Sequence, residues 1–196
     1  NPFDSVLIYK SIADTVINSQ ICKKISDVNN SSIFMYFNNQ KVYYWKYNQF
    51  NLIYDFSLNP NDTVVLTPMA MICDTSSPPI INDTILNVKL IVDSVTNENV
   101  NGELLKRFYL HYISDTLYPE ILWPTNYTYT ERIGSELVLV EYVFIGLVPI
   151  PETISLRCYE DTLIHYTTRW WSCQGFPCDY TTNINTIVGD KNVYVF

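Results

Sequence analysis

The stretch IFMYFNNQKVYYWKYNQFNLIYDF, residues 33–56, decides the fold class of this chain. It holds three runs of apolar and aromatic residues, at 33–37, 41–47 and 50–56, separated by short polar segments that contain Asn. Such runs are typical of β-strands, and Asn tolerates the left-handed backbone of a tight turn. The stretch therefore predicts a β-hairpin followed by a further strand.

Similar strand signals occur both before and after this stretch, and the whole sequence shows little helical periodicity. A turn is expected at residues 96–102 and a loop rich in Pro and Tyr at 118–130. About ten strands at this spacing predict an all-β antiparallel meander that forms an up-and-down barrel or half-barrel, and a two-sheet β-sandwich is the alternative. Further strands are predicted at 6–10, 16–25, 64–73, 85–95, 104–113, 137–144, 154–160 and 163–168.

Composition excludes several functional classes. The 196 residues include 12 Lys and Arg against 20 Asp and Glu, which gives a formal net charge of −8. An acidic chain repels phosphate, so nucleic acid is not an expected partner. The sequence has only five Gly, so a Gly-rich phosphate loop is not expected either. No apolar run is long enough, at about 20 residues, to predict a membrane span.

Five cysteines are present, and none forms the C-x-x-C pair that is typical of a zinc or thioredoxin site. One disulfide is expected within residues 158–178, with Cys158 and Cys178 as the candidates. A disulfide between Cys22 and Cys73 and buried free thiols are both open alternatives. Because the count is odd, at least one thiol remains unpaired.

Sequence motifs for catalysis are weak. His111 and His165 are the only histidines. A nucleophilic pair of His165 with Cys158 or Cys173 is conceivable, but His165 lies in a strand pattern. No catalytic residue, metal site or cofactor is therefore predicted, and a hydrolase with an unidentified site stays an alternative.

Aromatic residues are the better candidates for a functional site, since they make up 15% of the chain and include 16 Tyr. Aromatic rings stack on sugars and fill protein interfaces, although they also pack into cores. Strand alternation places Tyr43, Trp45 and Tyr47 on one face of the hairpin arm. The candidate ligand-binding residues are Tyr43, Trp45, Tyr47, Trp123, Trp170 and Trp171.

A tripeptide of Asp, Ser or Thr, and an aliphatic residue recurs along the chain, as in Asp14-Thr15-Val16 and Asp161-Thr162-Leu163. Asp accepts backbone hydrogen bonds in turns, and an aliphatic residue suits the start of a strand. The tripeptide is therefore interpreted mainly as a turn that leads into a strand, and a modification site is the alternative.

Four segments carry a resemblance: ADTVINS (13–19), YDFSLNPNDTV (54–64), ERIGS (131–135), and LRCYED (156–161) with CDY (178–180). Together they resemble a group of uncharacterised secreted proteins of Bacteroidetes that carry a C-terminal type IX secretion sorting domain. The sequence departs from that group at Ala13, Asn61 and Arg132, which stand where the group has Gly. The turn at Arg132 is expected to differ from the group's, and the turns at Ala13 and Asn61 need not have positive φ.

The resemblance implies a location and a domain organisation. Residues 1–180 would form a single β domain, and 181–196 a linker or the start of a removed sorting domain. The mature chain would be secreted or held at the outer cell surface. The recurring tripeptide also resembles an O-glycosylation sequon, which makes Thr15, Thr63, Thr84, Ser94, Thr116 and Thr162 candidate sites.

The expected function follows from these points. The chain is expected to be a non-catalytic secreted or cell-surface β module for adhesion, or for binding a carbohydrate or a surface protein. A barrel that carries a small apolar ligand is the alternative. The sequence does not indicate the oligomeric state.

Overall fold

The computed structural model describes residues 10–26, 32–67, 69–73, 81–85, 87–113, 127–135, 142–145 and 158–167. This part of the chain consists of β-strands and turns without a helix, which confirms the all-β prediction. Within it, no helix is long and apolar enough to cross a membrane. The strands are β1 (Lys10–Ile17), β2 (Gln20–Ser26), β3 (Ser32–Asn38), β4 (Lys41–Lys46), β5 (Gln49–Asp55), β6 (Thr63–Leu66), β7 (Met69–Cys73), β8 (Ile81–Ile85), β9 (Val88–Val100), β10 (Glu103–Tyr112), β11 (Tyr127–Thr130), β12 (Gly134–Ser135), β13 (Tyr142–Ile145), β14 (Cys158–Glu160) and β15 (His165–Thr167).

The hairpin stretch forms β3, β4 and β5 of a five-stranded sheet with the order β1-β2-β3-β4-β5. Every neighbouring pair in this first sheet is antiparallel. The turn after β3 is Asn39-Gln40, with φ of 50° and 62°, and the turn after β4 is Tyr47-Asn48, with φ of 52° and 59°. Two consecutive positive φ angles are typical of the primed turns that match the twist of a hairpin.

A second five-stranded sheet has the order β12-β11-β10-β9-β6. Its long β9–β10 hairpin continues to Val100, so the turn expected at 96–102 shrinks to Asn101-Gly102. The prediction of a loop at 118–130 is wrong for its last four residues, because Tyr127–Thr130 forms β11 beside β10. The strand forms because burial of Tyr127 and Tyr129 stabilises it more than the neighbouring Pro disfavours it.

Two smaller sheets complete the described strands, with the orders β13-β7-β8 and β14-β15. Strand β13 pairs with β7 in parallel, which departs from the antiparallel pattern. A parallel pair requires a long connection, and about 70 residues separate these two strands. The pairing of β13 with β7 therefore departs from a simple antiparallel meander.

Both five-stranded sheets contribute side chains to one hydrophobic core. At one corner the amide and Oγ1 of Thr67 both donate to the carbonyl oxygen of Leu52, at 2.7 and 3.0 Å. This corner joins β5 to the segment after β6, so the sheets curl together as a half-barrel. The core consists of Tyr44, Ile53, Tyr54, Phe56, Val64, Leu66, Val88, Leu90, Val92, Phe108, Leu110, Tyr127 and Tyr129.

A smaller cluster lies where the far end of the β9–β10 hairpin meets β14 and β15. The amide of His165 donates to Oδ1 of Asn101 at 2.8 Å and fixes this contact. The buried members are Val100, Leu105, Ile133, Tyr159 and Ile164. Two hydrophobic clusters therefore lie next to each other in the described part of the chain.

Candidate functional site

Four aromatic rings form a continuous surface on the outer side of the first sheet. We call this surface, made of Tyr36, Tyr43, Trp45 and Phe50, the aromatic face. Its ring centroids lie 5.9 Å apart for Tyr36 and Tyr43, 5.4 Å for Tyr36 and Phe50, and 4.9 Å for Trp45 and Phe50. All four side chains are half-buried. Because side chains alternate along a strand, Tyr43 and Trp45 lie opposite the buried Tyr44.

Strand register builds the aromatic face. Tyr36 is directly opposite Tyr43, and Trp45 is directly opposite Phe50. Aromatic pairs at such positions stabilise a sheet and hold the rings in place. Sequence reasoning missed Tyr36 and Phe50, although the two-residue turn at 39–40 would have revealed the first of these pairs.

Tyr47 does not belong to the aromatic face, so its expected position is corrected. Strand β4 ends at Lys46, and Tyr47 takes a turn position with φ of 52°, which interrupts the alternation. Its side chain is 54% exposed, and Nζ of Lys46 lies 5.3 Å from its ring centroid. The other candidates, Trp123, Trp170 and Trp171, lie outside the described residues.

An open cavity of about 400 Å³ lies beside the core, where the two hydrophobic clusters meet. We call it the apolar groove. Its described lining includes the charged residues Lys23, Glu131 and Arg132. Tyr36 of the aromatic face also lines it, as does Gly134. The other lining residues are Ile25, Met35, Phe37, Val42, Tyr54, Phe56, Ile133 and Tyr159.

The turn between β11 and β12 is fixed against one wall of the groove by Tyr54. The amide of Ser135 donates to the Tyr54 hydroxyl at 3.1 Å. Gly134 has φ of 83°, and a Cβ placed on it would lie 3.0 Å from the Tyr54 ring. Only Gly permits both this backbone and this close approach.

Arg132 occupies the same turn with φ of 66°, and its Nη2 donates to Oδ2 of Asp161 at 2.7 Å. Burial would raise the pKa of Asp161, but this is outweighed by hydrogen bonds from the amides of Leu163 and Ile164, the Tyr159 hydroxyl and Arg132. The pKa of Asp161 therefore lies below its ordinary value, and the carboxylate stays charged beside Arg132. The groove wall is thus held by an ion pair.

Described residues from three of the segments that carry the resemblance line this groove, and one residue of the first segment pairs with the lining. Asp14, from the first segment, pairs with Lys23 at 2.6 Å. The other segments contribute Tyr54, Arg132 and Tyr159 to the lining. Of the three residues that stand where the resembling group has Gly, Asn61 and Arg132 have a positive φ and Ala13, within β1, does not. Asn is among the residues that adopt this conformation most readily.

The recurring tripeptide has two structural settings. Asp62 and Asp161 lie in turns before β6 and β15 and accept backbone amides there, as predicted. Asp14 and Asp93 instead lie within strands and pair with Lys23 and His111, so the turn interpretation is wrong for them.

The candidate glycosylation sites differ in exposure. Thr63 and Thr162 are exposed next to the turns, whereas Thr15 and Ser94 are half-buried in strands. The side chain of Thr84 and all of Thr116 lie outside the described residues.

The cysteines separate into a free thiol and a bonded one. Cys22 is free and fully buried, so the Cys22–Cys73 disulfide is wrong. Burial raises the pKa of the Cys22 thiol. Cys158 is disulfide-bonded, and the side chains of Cys73, Cys173 and Cys178 lie outside the described residues. Pairing of Cys158 with Cys178 therefore stays a prediction.

The arrangement of β14 and β15 argues against a nucleophilic pair of His165 with Cys158, and Cys173, the other candidate, lies outside the described residues. Cys158 is opposite Thr167, whereas His165 is opposite Glu160 at the other end of the two-stranded ladder. A disulfide-bonded sulfur also cannot act as a thiolate. Within the described ranges, no group of three His, Cys, Asp or Glu side chains is placed to hold a metal ion.

Comparison with known proteins finds no matching family model, curated protein or solved structure. A function must therefore be inferred from the geometry of the aromatic face and the apolar groove.

Proposed function

We propose that this chain is a non-catalytic β module, exported to the cell surface or beyond, that binds carbohydrate through its aromatic face. The observation that carries the proposal is the contact of four half-exposed rings on the outer side of the first sheet. The solvent-facing side of an antiparallel sheet is normally polar. A contiguous aromatic patch in that position is typical of a binding surface.

The geometry suits a stacking ligand. Aromatic side chains have few rotatable bonds, so little conformational entropy is lost when a ligand covers them. The rings here stand on three hydrogen-bonded strands, which hold them more rigidly than a loop would. The flat apolar side of a sugar ring provides a matching surface for such a platform.

The proposed location has separate support. The disulfide at Cys158 is typical of a protein that matures in an oxidising compartment, because disulfides are rare in the cytosol. The segments that resemble secreted Bacteroidetes proteins point to the same location. Both observations agree with a module that meets carbohydrate outside the cell.

The test measures retention on carbohydrate. The protein is mixed with insoluble cellulose and chitin, and run on native gels that contain soluble xylan or galactomannan. We expect binding to at least one of the four polymers. The variants Trp45→Ala and Tyr36→Ala should each weaken that binding at least about fivefold, because loss of a central aromatic contact costs about 1 kcal/mol or more.

The matched control removes one half-buried ring from the other five-stranded sheet. Tyr109 lies on β10, outside the aromatic face, so Tyr109→Ala should leave retention unchanged. Failure to bind any of the four polymers would refute the proposal. An equal loss in all three variants would also refute it, since the effect would then not depend on the aromatic face.

The apolar groove supports a second candidate function, the carriage of a small apolar ligand. Ligand pockets have volumes of about 300–1,000 Å³ and are lined mainly by apolar and aromatic side chains. The groove, with about 400 Å³ and the lining given above, meets both criteria.

A further inference from the structure

The charged residues of the apolar groove indicate which ligand it would take. We infer that the groove binds a long-chain carboxylate, with the hydrocarbon tail against the apolar lining and the carboxylate at Arg132 and Lys23. This inference rests on the second candidate function and adds the chemical class of the ligand to it.

The tail would lie along side chains from both hydrophobic clusters. Met35, Val42 and Phe56 belong to or pack on the larger core, and Ile133 and Tyr159 belong to the smaller one. A hydrocarbon chain between them would make the two clusters continuous and exclude water from their junction.

One apolar side chain at the groove gives further support for a buried tail. Phe37 lines the groove, yet it is 64% exposed. A ligand would cover a ring that the protein itself leaves in water.

Arg132 is the first group for the carboxylate. Its guanidinium has five N–H donors, and within the described residues only Nη2 has a partner, the Asp161 carboxylate. The remaining donors have the forked geometry that matches a carboxylate. The backbone of Arg132 is left-handed, which costs energy for a residue other than Gly. The contacts of the turn nevertheless keep this side chain beside the groove.

Lys23 is the second group. Its ammonium pairs with Asp14 at 2.6 Å, and the two side chains are 63% and 55% exposed. Ion pairs this exposed are weak, so Lys23 can exchange Asp14 for a ligand carboxylate at little cost.

Each of the two cations at the groove is already paired with a carboxylate. The described lining carries two cations, Lys23 and Arg132, and one anion, Glu131. The carboxylate of Glu131 accepts a hydrogen bond from the backbone amide of Lys106 at 3.3 Å. With Asp14 and Asp161, which pair with Lys23 and Arg132, the groove has three carboxylates against two cations, so selectivity for a carboxylate depends on the hydrogen-bond donors that Arg132 has left and not on net charge.

The test compares three amphiphiles with the same twelve-carbon tail: dodecanoate, 1-dodecanol and dodecyltrimethylammonium. Binding is followed by titration calorimetry below the concentration at which each probe aggregates. We expect dodecanoate to bind at least about tenfold more tightly than either of the other two, because only it forms charge-assisted hydrogen bonds with Arg132.

Variants separate the carboxylate contact from the tail. Arg132→Asn removes the charge but keeps a residue that tolerates positive φ, and Lys23→Met keeps the length of the stem. Each should weaken dodecanoate binding about tenfold or more and leave dodecanol binding within twofold. Lys24→Met is the matched control, since Lys24 is next to Lys23 on β2 but does not line the groove. Circular dichroism establishes whether each variant is folded. If Arg132→Asn does not fold, Lys23→Met alone still tests the carboxylate contact.

The outcomes distinguish failure of the carboxylate inference from failure of the proposed carrier function. If none of the three probes binds, both the carrier function and the carboxylate inference are overturned. If dodecanol binds as tightly as dodecanoate, or the cationic probe binds best, the groove carries ligands but the carboxylate inference is wrong. The same conclusion follows if the charge variants bind dodecanoate like the unaltered protein.

Discussion

Two neighbouring residues on β4 show how differently this chain uses the same side chain. Tyr44 is 1% exposed, and its hydroxyl donates to the carbonyl oxygen of Thr67 at 3.1 Å. Tyr43 is half-buried on the opposite side of the sheet, where its ring contacts Tyr36. The Tyr surplus of the sequence is thus divided between the two faces of one sheet.

The comparison extends to the clusters around these residues. In the core, the ring centroids of Phe108 and Tyr129 lie 4.9 Å apart, and the Tyr129 hydroxyl donates to the Asp55 carbonyl oxygen at 2.8 Å. Rings on the aromatic face lie at similar distances from one another. Ring packing therefore does not separate the clusters. The difference is the backbone acceptor that the core provides for the buried hydroxyls of Tyr44 and Tyr129, because a buried polar group without a partner is costly.

Deletion of the side chain should give the largest difference between the two faces. Tyr44→Ala is expected to lower the free energy of unfolding by about 3–5 kcal/mol, since it leaves a cavity and an unpaired carbonyl in the core. Tyr43→Ala removes the same atoms from a half-exposed position and should cost about 1–2 kcal/mol. Urea unfolding followed by circular dichroism gives both values. Equal losses would mean that the aromatic face is as much part of the core as Tyr44.

A smaller effect is expected where the core meets the groove. Gly134→Ala should lower the free energy of unfolding by roughly 2–5 kcal/mol, because it adds overpacking against Tyr54, about 1–3 kcal/mol, to the penalty of a left-handed backbone, about 1–2 kcal/mol. Gly102 is the control, since it has φ of 91° but no atom within 4 Å of its Cβ position. Gly102→Ala should show the backbone penalty alone. The same loss in both variants would show that Tyr54 yields to the added methyl group.

The sequence predicted β3, β4 and β5 of the first sheet well because their signals are local. The single strand predicted at 16–25 is wrong, since Asn18-Ser19 forms a turn with positive φ that separates β1 from β2. Residues 33–56 hold three apolar and aromatic runs with Asn between them, so the hairpin could be located without any distant contact. The position of Tyr47 could not be inferred from alternation, because alternation stops where the turn begins at residue 47. Strand β11 was missed since its four residues follow a Pro-containing segment, although Tyr127-Thr128-Tyr129-Thr130 alternates clearly.

The apolar groove could not be predicted from the sequence, because its lining comes from distant parts of the chain. Lys23 and Tyr159 are 136 positions apart, and no local pattern brings them together. Only the packing of the β11–β12 turn on Tyr54, with Arg132 tied to Asp161, assembles that wall. The segments that meet there had been noticed for a resemblance, but their proximity depends on tertiary structure.

The finest comparison of the two faces removes single hydroxyl groups. Tyr129→Phe deletes the donor to the Asp55 carbonyl oxygen in a fully buried position, and we expect a loss of about 1–3 kcal/mol in the free energy of unfolding. Tyr43→Phe should change it by less than about 0.5 kcal/mol, because water can solvate a hydroxyl on the half-exposed face. Urea unfolding of the two variants beside the unaltered protein gives the difference. If both substitutions were neutral, the backbone acceptors would not be what retains Tyr in the core, and Phe would serve equally well there. A loss confined to Tyr129→Phe would mean that hydrogen bonding keeps Tyr inside, which leaves ligand contact as the reason for Tyr outside.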